Sequence, residues 1–426
     1  MSYIFSVKKF VMTLAIGVVV LLFLSRSSAP QAQVNAFESV KRLAESGDAH
    51  EQAKLGWMYR NGQGVKQDSM EAVKWLLKAA EQGDAEGQCH LGLMYYVGEG
   101  VELNFEEAAK WSRKAADQNH AAAQFSLGVM YSNGQGVELD FEEGMKWIRK
   151  AAQQDFADAL AGLGQMYRDG QGIDPDPRES VKWYRKAAEQ NHVNAQYNLG
   201  YAYRRGQGVE KNSVQAVKWY RKAAEQGHVD AQSDLGVMYA EGDGVKQDSR
   251  EAVKWYRSAA LQGDAYGQHH LGEMYRNGRG VEQDFKEALK WIRRSAEQFY
   301  AAAQFSLGEM YYIGEGVNQD YEEAVKWYRE AADQDNAYGQ HHLGVMYLNG
   351  QGVKPDFKEA FKWIRRAAEQ DYAKGQFRLG QMYRDGQGVE ANLQEAEKWI
   401  RKAADQDNQD AKLALGKLTI EQKLKE

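Results

Sequence analysis

The sequence has 426 residues and a single cysteine, Cys89. One cysteine excludes a framework of intramolecular disulfides and a cysteine-rich zinc site. The chain also lacks the alternation of apolar and polar residues that is typical of half-buried strands, and β-branched residues are sparse. With 43% apolar and 12% aromatic residues, the composition is still that of a folded protein. These features favour a helical fold held together by packing alone.

Acidic residues are absent from positions 1–32, which carry Lys8, Lys9 and Arg26. Without this segment, 51 basic residues face 60 acidic ones, a net charge of −9. A mildly acidic body is poorly suited to the phosphate backbone of DNA or RNA. Nucleic acid is therefore not an expected partner.

The segment 1–32 has the residue order of an export signal. Lys8 and Lys9 precede an uncharged apolar run from Phe10 to Leu24, and small and polar residues follow it. This run is at the long end for the core of a signal peptide and short for a spanning helix, which needs about 17–25 apolar residues. A cleaved signal peptide and an uncleaved membrane anchor both remain open. Either predicts a periplasmic or secreted body, or one anchored in the inner membrane outside the cytoplasm.

The rest of the chain repeats one unit. Leu-Gly recurs every 36 residues from Leu55-Gly56 to Leu415-Gly416, without insertion or deletion. An exact period of this length is typical of stacked repeats, each too small to bury its apolar face alone. Tryptophan recurs at the same spacing, at Trp75, Trp111, Trp147, Trp183, Trp219, Trp255, Trp291, Trp327, Trp363 and Trp399. We expect these tryptophans in the core.

Each unit is predicted to be a pair of helices. In the unit 48–83, Leu55, Met58 and Tyr59 share one face at helical spacing. Gly-Gln-Gly-Val at 62–65 ends this helix, because glycine adopts positive φ angles without steric cost. In all ten units, Asp or Asn then follows, with Glu or Gln three residues later. This spacing predicts a capping box at the start of the second helix.

The pattern Ala-x-x-x-Leu-Gly-x-Met-Tyr-x-x-Gly-x-Gly-Val, followed by Asp-x-x-Glu-Ala-x-Lys-Trp-x-x-Lys-Ala-Ala, resembles the Sel-one-like repeat (SLR) family, a relative of tetratricopeptide repeats. The resemblance covers ten units, 48–407, and implies an all-α, right-handed superhelix of antiparallel helix pairs. It also implies a scaffold or adaptor for partner proteins rather than an enzyme. Residues 33–47 and 408–426 match the pattern incompletely, and we predict that they are N- and C-terminal capping helices, which stacked arrays require.

Candidate catalytic and metal sites are better explained as structure. The Asp-x-x-Glu pairs stand at helix starts, and the Gly-x-Gly-Val loops lack the remaining residues of a dinucleotide or P-loop motif. His269-His270 and His341-His342 are neighbours on a helix, so the two rings of a pair point about 100° apart and cannot share one ion. We expect no catalytic residue, metal or cofactor.

An enzyme remains the alternative. Some cysteine-rich members of the family are linked to penicillin binding, which makes a cell-wall or β-lactam-directed hydrolase the competing hypothesis. The sequence contains one Ser-x-x-Lys, Ser6 to Lys9, within the segment 1–32. That placement gives this chemistry no support.

Function is sought where the repeats differ. On the first helix, the residues three before, one after and four after the repeated glycine vary between units, and in tetratricopeptide repeats these positions line the concave face. Aromatic and Arg side chains dominate binding hot spots, and Arg binds carboxylates through paired hydrogen bonds. The sequence thus predicts a groove for an extended or helical peptide segment, with acidic groups near its arginines. In the alternative, Phe125, Phe305 and Phe377 merely pack between units. The predicted partner-binding residues are Trp57, Arg60, Tyr96, Phe125, Arg168, Tyr197, Tyr201, Arg204, His269, Arg276, Phe305, Tyr312, His341, Phe377 and Arg384.

Overall fold

A computed structural model describes the backbone of residues 30–423 and the side chains of residues 34–416. These residues form 22 α-helices and no strand, as the sequence predicts. The apolar run from Phe10 to Leu24, on which the export prediction depends, lies outside the described residues. Within the described part, no helix has both the length and the apolar character needed to span a bilayer. The chain divides after Lys222 into two compact units, in each of which consecutive helices pack against one another.

Each of the ten repeats contributes two helices. The first helices are α2 (Ala49–Asn61), α4 (Ala85–Val97), α6 (Ala121–Asn133), α8 (Ala157–Asp169), α10 (Val193–Arg205), α12 (Val229–Glu241), α14 (Ala265–Asn277), α16 (Ala301–Ile313), α18 (Ala337–Asn349) and α20 (Ala373–Asp385). The second helices are α3 (Ser69–Glu81), α5 (Phe105–Asp117), α7 (Phe141–Gln153), α9 (Pro177–Glu189), α11 (Ser213–Glu225), α13 (Ser249–Leu261), α15 (Phe285–Glu297), α17 (Tyr321–Asp333), α19 (Phe357–Glu369) and α21 (Leu393–Asp405). The flanking helices are α1 (Pro30–Glu45) and α22 (Gln409–Lys423).

The predicted cap of the second helix forms, but only half of the capping box does. Asp68 precedes α3, and its carboxylate accepts hydrogen bonds from the backbone N–H groups of Met70 and Glu71. The backbone N–H of Asp68 donates to the carbonyl of Tyr59 at 2.9 Å rather than to Glu71. The Glu71 side chain instead accepts from Lys74, at 2.5 Å. Glu71 therefore forms an ion pair on the helix surface. It is not needed by the backbone N–H of Asp68, because a carbonyl of the first helix already accepts from that group.

The core lies between the two helices of a repeat and between consecutive repeats. Leu271 and Ala288 are fully buried where α14 meets α15. The repeated glycine of the Leu-Gly pair allows this approach: a Cβ atom on Gly272 would lie 2.5 Å from Cγ1 of Ile292. Trp291 packs against residues of both α13 and α14, among them Tyr256. Trp291 therefore closes the contact of its repeat with the repeat before it, whereas Trp75, Trp183, Trp255, Trp327 and Trp399 are half-buried.

The segment before the first repeat belongs to the core of the N-terminal unit. Helix α1 buries Phe37, Val40 and Ala44 against Leu55 and Met58 of α2. At the other end, Ala411 of α22 is buried in a cluster with the last two apolar positions of α21. Both flanking helices thus cover an apolar face that the terminal repeats would otherwise expose.

Trp291→Ala is expected to lower the free energy of unfolding by about 3–5 kcal/mol, because the side chain is buried and its removal leaves a cavity. Trp291 is 6% exposed. The damage should stay within the neighbouring repeats, which contact one another directly. Urea unfolding followed by circular dichroism would measure it.

The matched control for this variant is Phe299→Asn, eight positions along the chain. Phe299 is 71% exposed and has a φ of 62°, where other repeats have Gly, Asn or Asp. Since Asn tolerates left-handed backbone better than Phe does, the control should leave stability unchanged or raise it by up to about 1 kcal/mol. Equal losses in the two variants would contradict the core position of the tryptophan.

Candidate partner-binding surface

The residues three positions before the repeated glycine lie in the joints between repeats. Phe125 is 2% exposed, and its ring centre is 5.9 Å from that of Phe156, the residue before α8. His269 is 9% exposed and lies 5.4 Å from Tyr300, the residue before α16. The rings of His341 and Tyr372 are in the same relation at 5.3 Å. Each side chain is thus directed at the next repeat rather than at solvent.

The other members of this set are also engaged within the array. Phe305 stacks on Tyr328 at 5.8 Å and lies 5.5 Å from Tyr338. Tyr197 lies 5.6 Å from Tyr220. Phe377 packs against the buried cluster that includes Ile400. Phe305 and Phe377 thus pack against the element that follows their own repeat, as in the alternative stated for them, whereas Tyr197 packs against the second helix of its own repeat.

In three joints an aromatic residue stands where a side chain could otherwise cap the following first helix. Phe156, Tyr300 and Tyr372 precede first helices, and none of them forms a side-chain hydrogen bond to the helix that follows. Where the joint is polar, the cap is kept: Asp264 accepts from the backbone of α14 and also from the Ser233 hydroxyl, at 2.6 Å. In these joints the residue on the first helix contacts the residue 31 positions later, and only the aromatic partners give up the cap.

The residues four positions after the repeated glycine form a second set of contacts between repeats. The guanidinium of Arg60 donates to Glu99 at 2.9 Å, and that of Arg276 donates to Glu315 at 2.5 Å. The hydroxyl of Tyr96 donates to Gln135 at 2.9 Å. All three partners lie 39 positions later, in the next Gly-x-Gly loop. The charges of Arg60 and Arg276 are thus already neutralised inside the array.

Arg168 and Arg384 reach further into solvent. Their side chains are 40% and 38% exposed, and each Nε donates to the adjacent aspartate, Asp169 or Asp385, at 2.7 Å. The hydrogen bond from Arg384 lowers the pKa of Asp385, with burial opposing this shift. Both arginines present a guanidinium on the first-helix surface. The side chain of Arg204 is half-buried.

The remaining predicted residues are half-buried aromatics on the first helices. Trp57 stacks on His90 of the next repeat, with ring centres 4.3 Å apart. Tyr201 lies 5.7 Å from the guanidinium carbon of Arg205. Tyr312 packs on Tyr321, with ring centres 5.4 Å apart. Each side chain keeps part of its surface open while one face contacts a neighbour. We call these residues the first-helix surface, which each unit carries for itself: Trp57, Tyr96, Arg168 and Tyr201 in the N-terminal unit, and Tyr312 and Arg384 in the C-terminal unit.

Sequence reasoning missed a ladder of glutamines. Gln88 donates to the carbonyl of Ala80 at 3.1 Å and accepts from Gln118 at 2.8 Å. The same arrangement recurs in most other repeats, for example where Gln298 donates to Gln268 at 2.8 Å. These buried amides link each repeat to the next and satisfy carbonyls at the ends of second helices. The signal was present, because glutamine recurs with the 36-residue period at both positions, with Leu160 as the exception.

The paired histidines are packing residues. The rings of His269 and His270 are 5.2 Å apart, and those of His341 and His342 are 5.3 Å apart. Burial lowers the pKa of His269 to about 4 and that of His341 to about 3. Both are therefore neutral at neutral pH. In the part of the chain that the structure describes, no three or more His, Cys, Asp or Glu side chains are grouped so as to hold a metal ion.

The repeated helix pairs, stacked with a constant period, define an α-solenoid of the tetratricopeptide-like class. The chain belongs to the Sel1 repeat family: the family model matches ten consecutive segments, the first at 52–84 and the last at 373–408. This confirms the family, the number of repeats and the all-α solenoid expected from the sequence. Members of the family are generally non-catalytic scaffolds for protein–protein interaction.

Two solved structures are similar to the chain. One is a protective antigen of uropathogenic Escherichia coli with an SLR fold, which is 34% identical, with 90% of each chain covered and a TM-score of 0.62. The other is a Sel1 repeat protein from Oxalobacter formigenes, also 34% identical, with 72% of this chain and 89% of that chain covered and a TM-score of 0.58. Comparison with curated proteins gave no significant match.

Proposed function

We propose that this protein is an exported, non-catalytic scaffold that holds partner proteins on its first-helix surface. The observation that supports this most is the varied chemistry of that surface, where indole, phenol and guanidinium groups follow one another on different first helices. Aromatic and Arg side chains of this kind are the usual anchors of protein interfaces. Partners are proteins or peptide segments, and the membrane is contacted only through segment 1–32 if it stays uncleaved.

The second helices carry one exposed row of charged residues whose chemistry is uniform, and this row is less suited to selective recognition. Lys110 pairs with Glu107 at 2.8 Å, and a Lys–Glu pair recurs at this place in nine of the ten repeats. Exposed pairs of this type satisfy one another and contribute little energy. A surface that repeats the same pair cannot fix the register of a partner. The first helices, which differ from repeat to repeat, can.

The contacts of the arginines refine which of them meets a partner. Arg276 is held by Glu315, so an acidic partner would have to displace an existing ion pair. Arg168 and Arg384 are more exposed, although each donates to the adjacent aspartate and Arg168 also donates to Asn198 at 2.9 Å. We therefore assign the acidic groups of the partner to these two positions. The net charge of −9 outside segment 1–32 disfavours nucleic acid as a ligand.

Crosslinking in bacterial cells, followed by fractionation and mass spectrometry, tests this proposal. The full chain should be recovered outside the cytoplasm together with specific proteins. The combined variant Arg168→Glu and Tyr201→Ser should reduce their recovery at least about tenfold, because it reverses one anchor's charge and removes another's ring. Cytoplasmic recovery of the chain would overturn the export part of the proposal.

The matched control is Lys182→Glu combined with Phe141→Ser, which makes the same type of change on second helices of the same unit. Ser is the residue found at the position of Phe141 in three other repeats, so this variant should fold. It should retain the partners. Equal recovery with both variants, or equal loss with both, would contradict binding on the first-helix surface.

A further inference from the structure

A pocket of about 200 Å³ opens between the first helices α12 and α14, above the second helix α13. Its lining combines aromatic rings, carboxylates and a floor of Val237 and Met274. All of it lies within the C-terminal unit. None of these side chains belongs to the first-helix surface described above.

One side chain of the lining is small where another repeat has an aromatic ring. Ala240 lies four positions after the repeated glycine, where repeat eight has Tyr312. The rings around the two positions correspond: Tyr256, Tyr266 and His270 around Ala240 match Tyr328, Tyr338 and His342 around Tyr312. Repeat eight therefore serves as an internal comparison: it has the same surrounding rings, but a tyrosine at the position of Ala240.

Three rings form the walls. The ring centres of Tyr266 and His270 are 4.2 Å apart, and Tyr256 stacks on His270 at 5.1 Å. Burial lowers the pKa of His270 to about 4, so the imidazole is neutral at neutral pH. The walls thus present aromatic faces without positive charge. Such faces attract cations through their quadrupole, more strongly when water is excluded.

The charges around the pocket favour a cation as well. Its lining holds two carboxylates, Glu241 and Glu273, and one exposed cation, Arg279. Oε1 of Glu273 is buried and accepts no hydrogen bond, although Nη1 of Arg276 lies 3.8 Å away. That arginine is committed to Glu315 at 2.5 Å. A buried carboxylate oxygen without a donor is costly and would gain from one.

We propose that this pocket binds the cationic end of a Lys or Arg side chain presented by a partner protein. The charged group would lie over the aromatic walls beside the carboxylate of Glu273, while its aliphatic stem covers Met274. The proposal rests on the proposed scaffold function and adds a basic anchor point to it. It complements the acidic groups that Arg168 and Arg384 would meet elsewhere on the chain.

Methyl NMR of the full chain, labelled at methionine, tests the pocket with Nα-acetyl-arginine methylamide and Nα-acetyl-lysine methylamide as probes. Both should shift the Met274 methyl signal saturably, with dissociation constants in the millimolar range. Nα-acetyl-glutamine methylamide, which lacks the charge, should bind at least about tenfold more weakly. Absence of a saturable shift with both cationic probes, or equal binding of the neutral one, would overturn the proposal.

Variants of the lining show whether each side chain strengthens or weakens the binding of the probes. Glu273→Gln should weaken the binding of the cationic probes about tenfold, because it removes an attractive negative charge. Arg279→Gln should strengthen their binding, because it removes a repulsive positive charge. Ala240→Tyr, which introduces the residue of repeat eight, should abolish the shift. Ala240→Ser, with the residue of repeat three, is the matched control and should keep it. Unchanged binding in Ala240→Tyr would place the probes elsewhere and refute the assignment.

The two proposals fail separately. If the cationic probes bind and no protein is captured by crosslinking, the scaffold function is wrong, while the pocket is still shown to bind cations. If partners are captured equally by the wild type and by Ala240→Tyr, and the probes do not bind, the pocket proposal is wrong and the scaffold function stands.

Discussion

Gly136→Ala is expected to lower the free energy of unfolding by about 3 kcal/mol or more, as the sum of backbone strain and an overpacked contact. Gly136 is the second glycine of a Gly-x-Gly loop and has a φ of 67°. A Cβ atom there would lie 1.9 Å from the carbonyl oxygen of Phe105, at the start of the preceding second helix. Neither group can move without separating two repeats. Urea unfolding would measure the loss.

Gly134→Ala provides the control two positions earlier in the same loop. Its φ of 64° imposes the same left-handed backbone, but the atom that a new Cβ would meet first is Cβ of Leu139, at 3.3 Å. Leu139 is 55% exposed and can shift. The control should therefore show only the strain of a non-glycine residue, about 1 kcal/mol. Equal losses at the two positions would show that the contact with the preceding repeat contributes nothing.

Acidification from pH 7 to pH 5 should destabilise the chain through its buried histidines. A histidine whose pKa is lower in the folded state than in the unfolded state binds fewer protons when folded, so its stabilising contribution is complete above about pH 6.5 and falls as the pH falls. For His269 the decline should continue to about pH 4, and for His341 to about pH 3. The loss by pH 5 is about 2 kcal/mol for each as an upper value.

The surroundings of the two rings support this direction. His269 is buried and is also close to the positive charge of Arg276, while His341 is buried and faces His342, Arg378 and Lys374. Protonation would thus add a positive charge next to groups that carry or can carry one already.

The test is the pH dependence of urea unfolding for the wild type and for His269→Phe with His341→Phe. Phenylalanine occupies this position in repeats three, eight and ten, so the double variant should fold. Its stability should change less between pH 7 and pH 5 than that of the wild type. Parallel profiles for the two proteins would exclude the histidines as the cause.

The fold could be predicted because its determinants recur. Leu-Gly, the tryptophan and the Asp or Asn cap appear in every repeat. Each helix boundary is therefore indicated ten times, and a pattern that recurs so often is not a coincidence. The exact contact of Glu71 could not be predicted, since its spacing from Asp68 fits a capping box equally well. Only the structure shows that the N–H of Asp68 is already bound to Tyr59.

The site was harder to predict because variation between repeats has two causes. A residue can vary because it meets a partner, or because its neighbour in the next repeat varies with it. Phe125 belongs to the second kind, since Phe156 changes with it, and so does Arg60, which pairs with Glu99. Comparing positions one at a time cannot separate the two causes. Comparing pairs 39 positions apart would have identified the second contact, because Arg60 and Arg276 both face a glutamate at that distance.

The paired joints also bear on how such a gene can change. Ten similar copies in tandem invite unequal recombination, which removes or adds one period in frame. Excision of residues 156–191 would remove α8 and α9 and leave the other helices and their caps intact, yet it would bring Phe125 opposite His192 in place of Phe156. The order of the repeats therefore matters for stability. A protein with rearranged repeats would have residues at the contacts between repeats that do not pack well against each other.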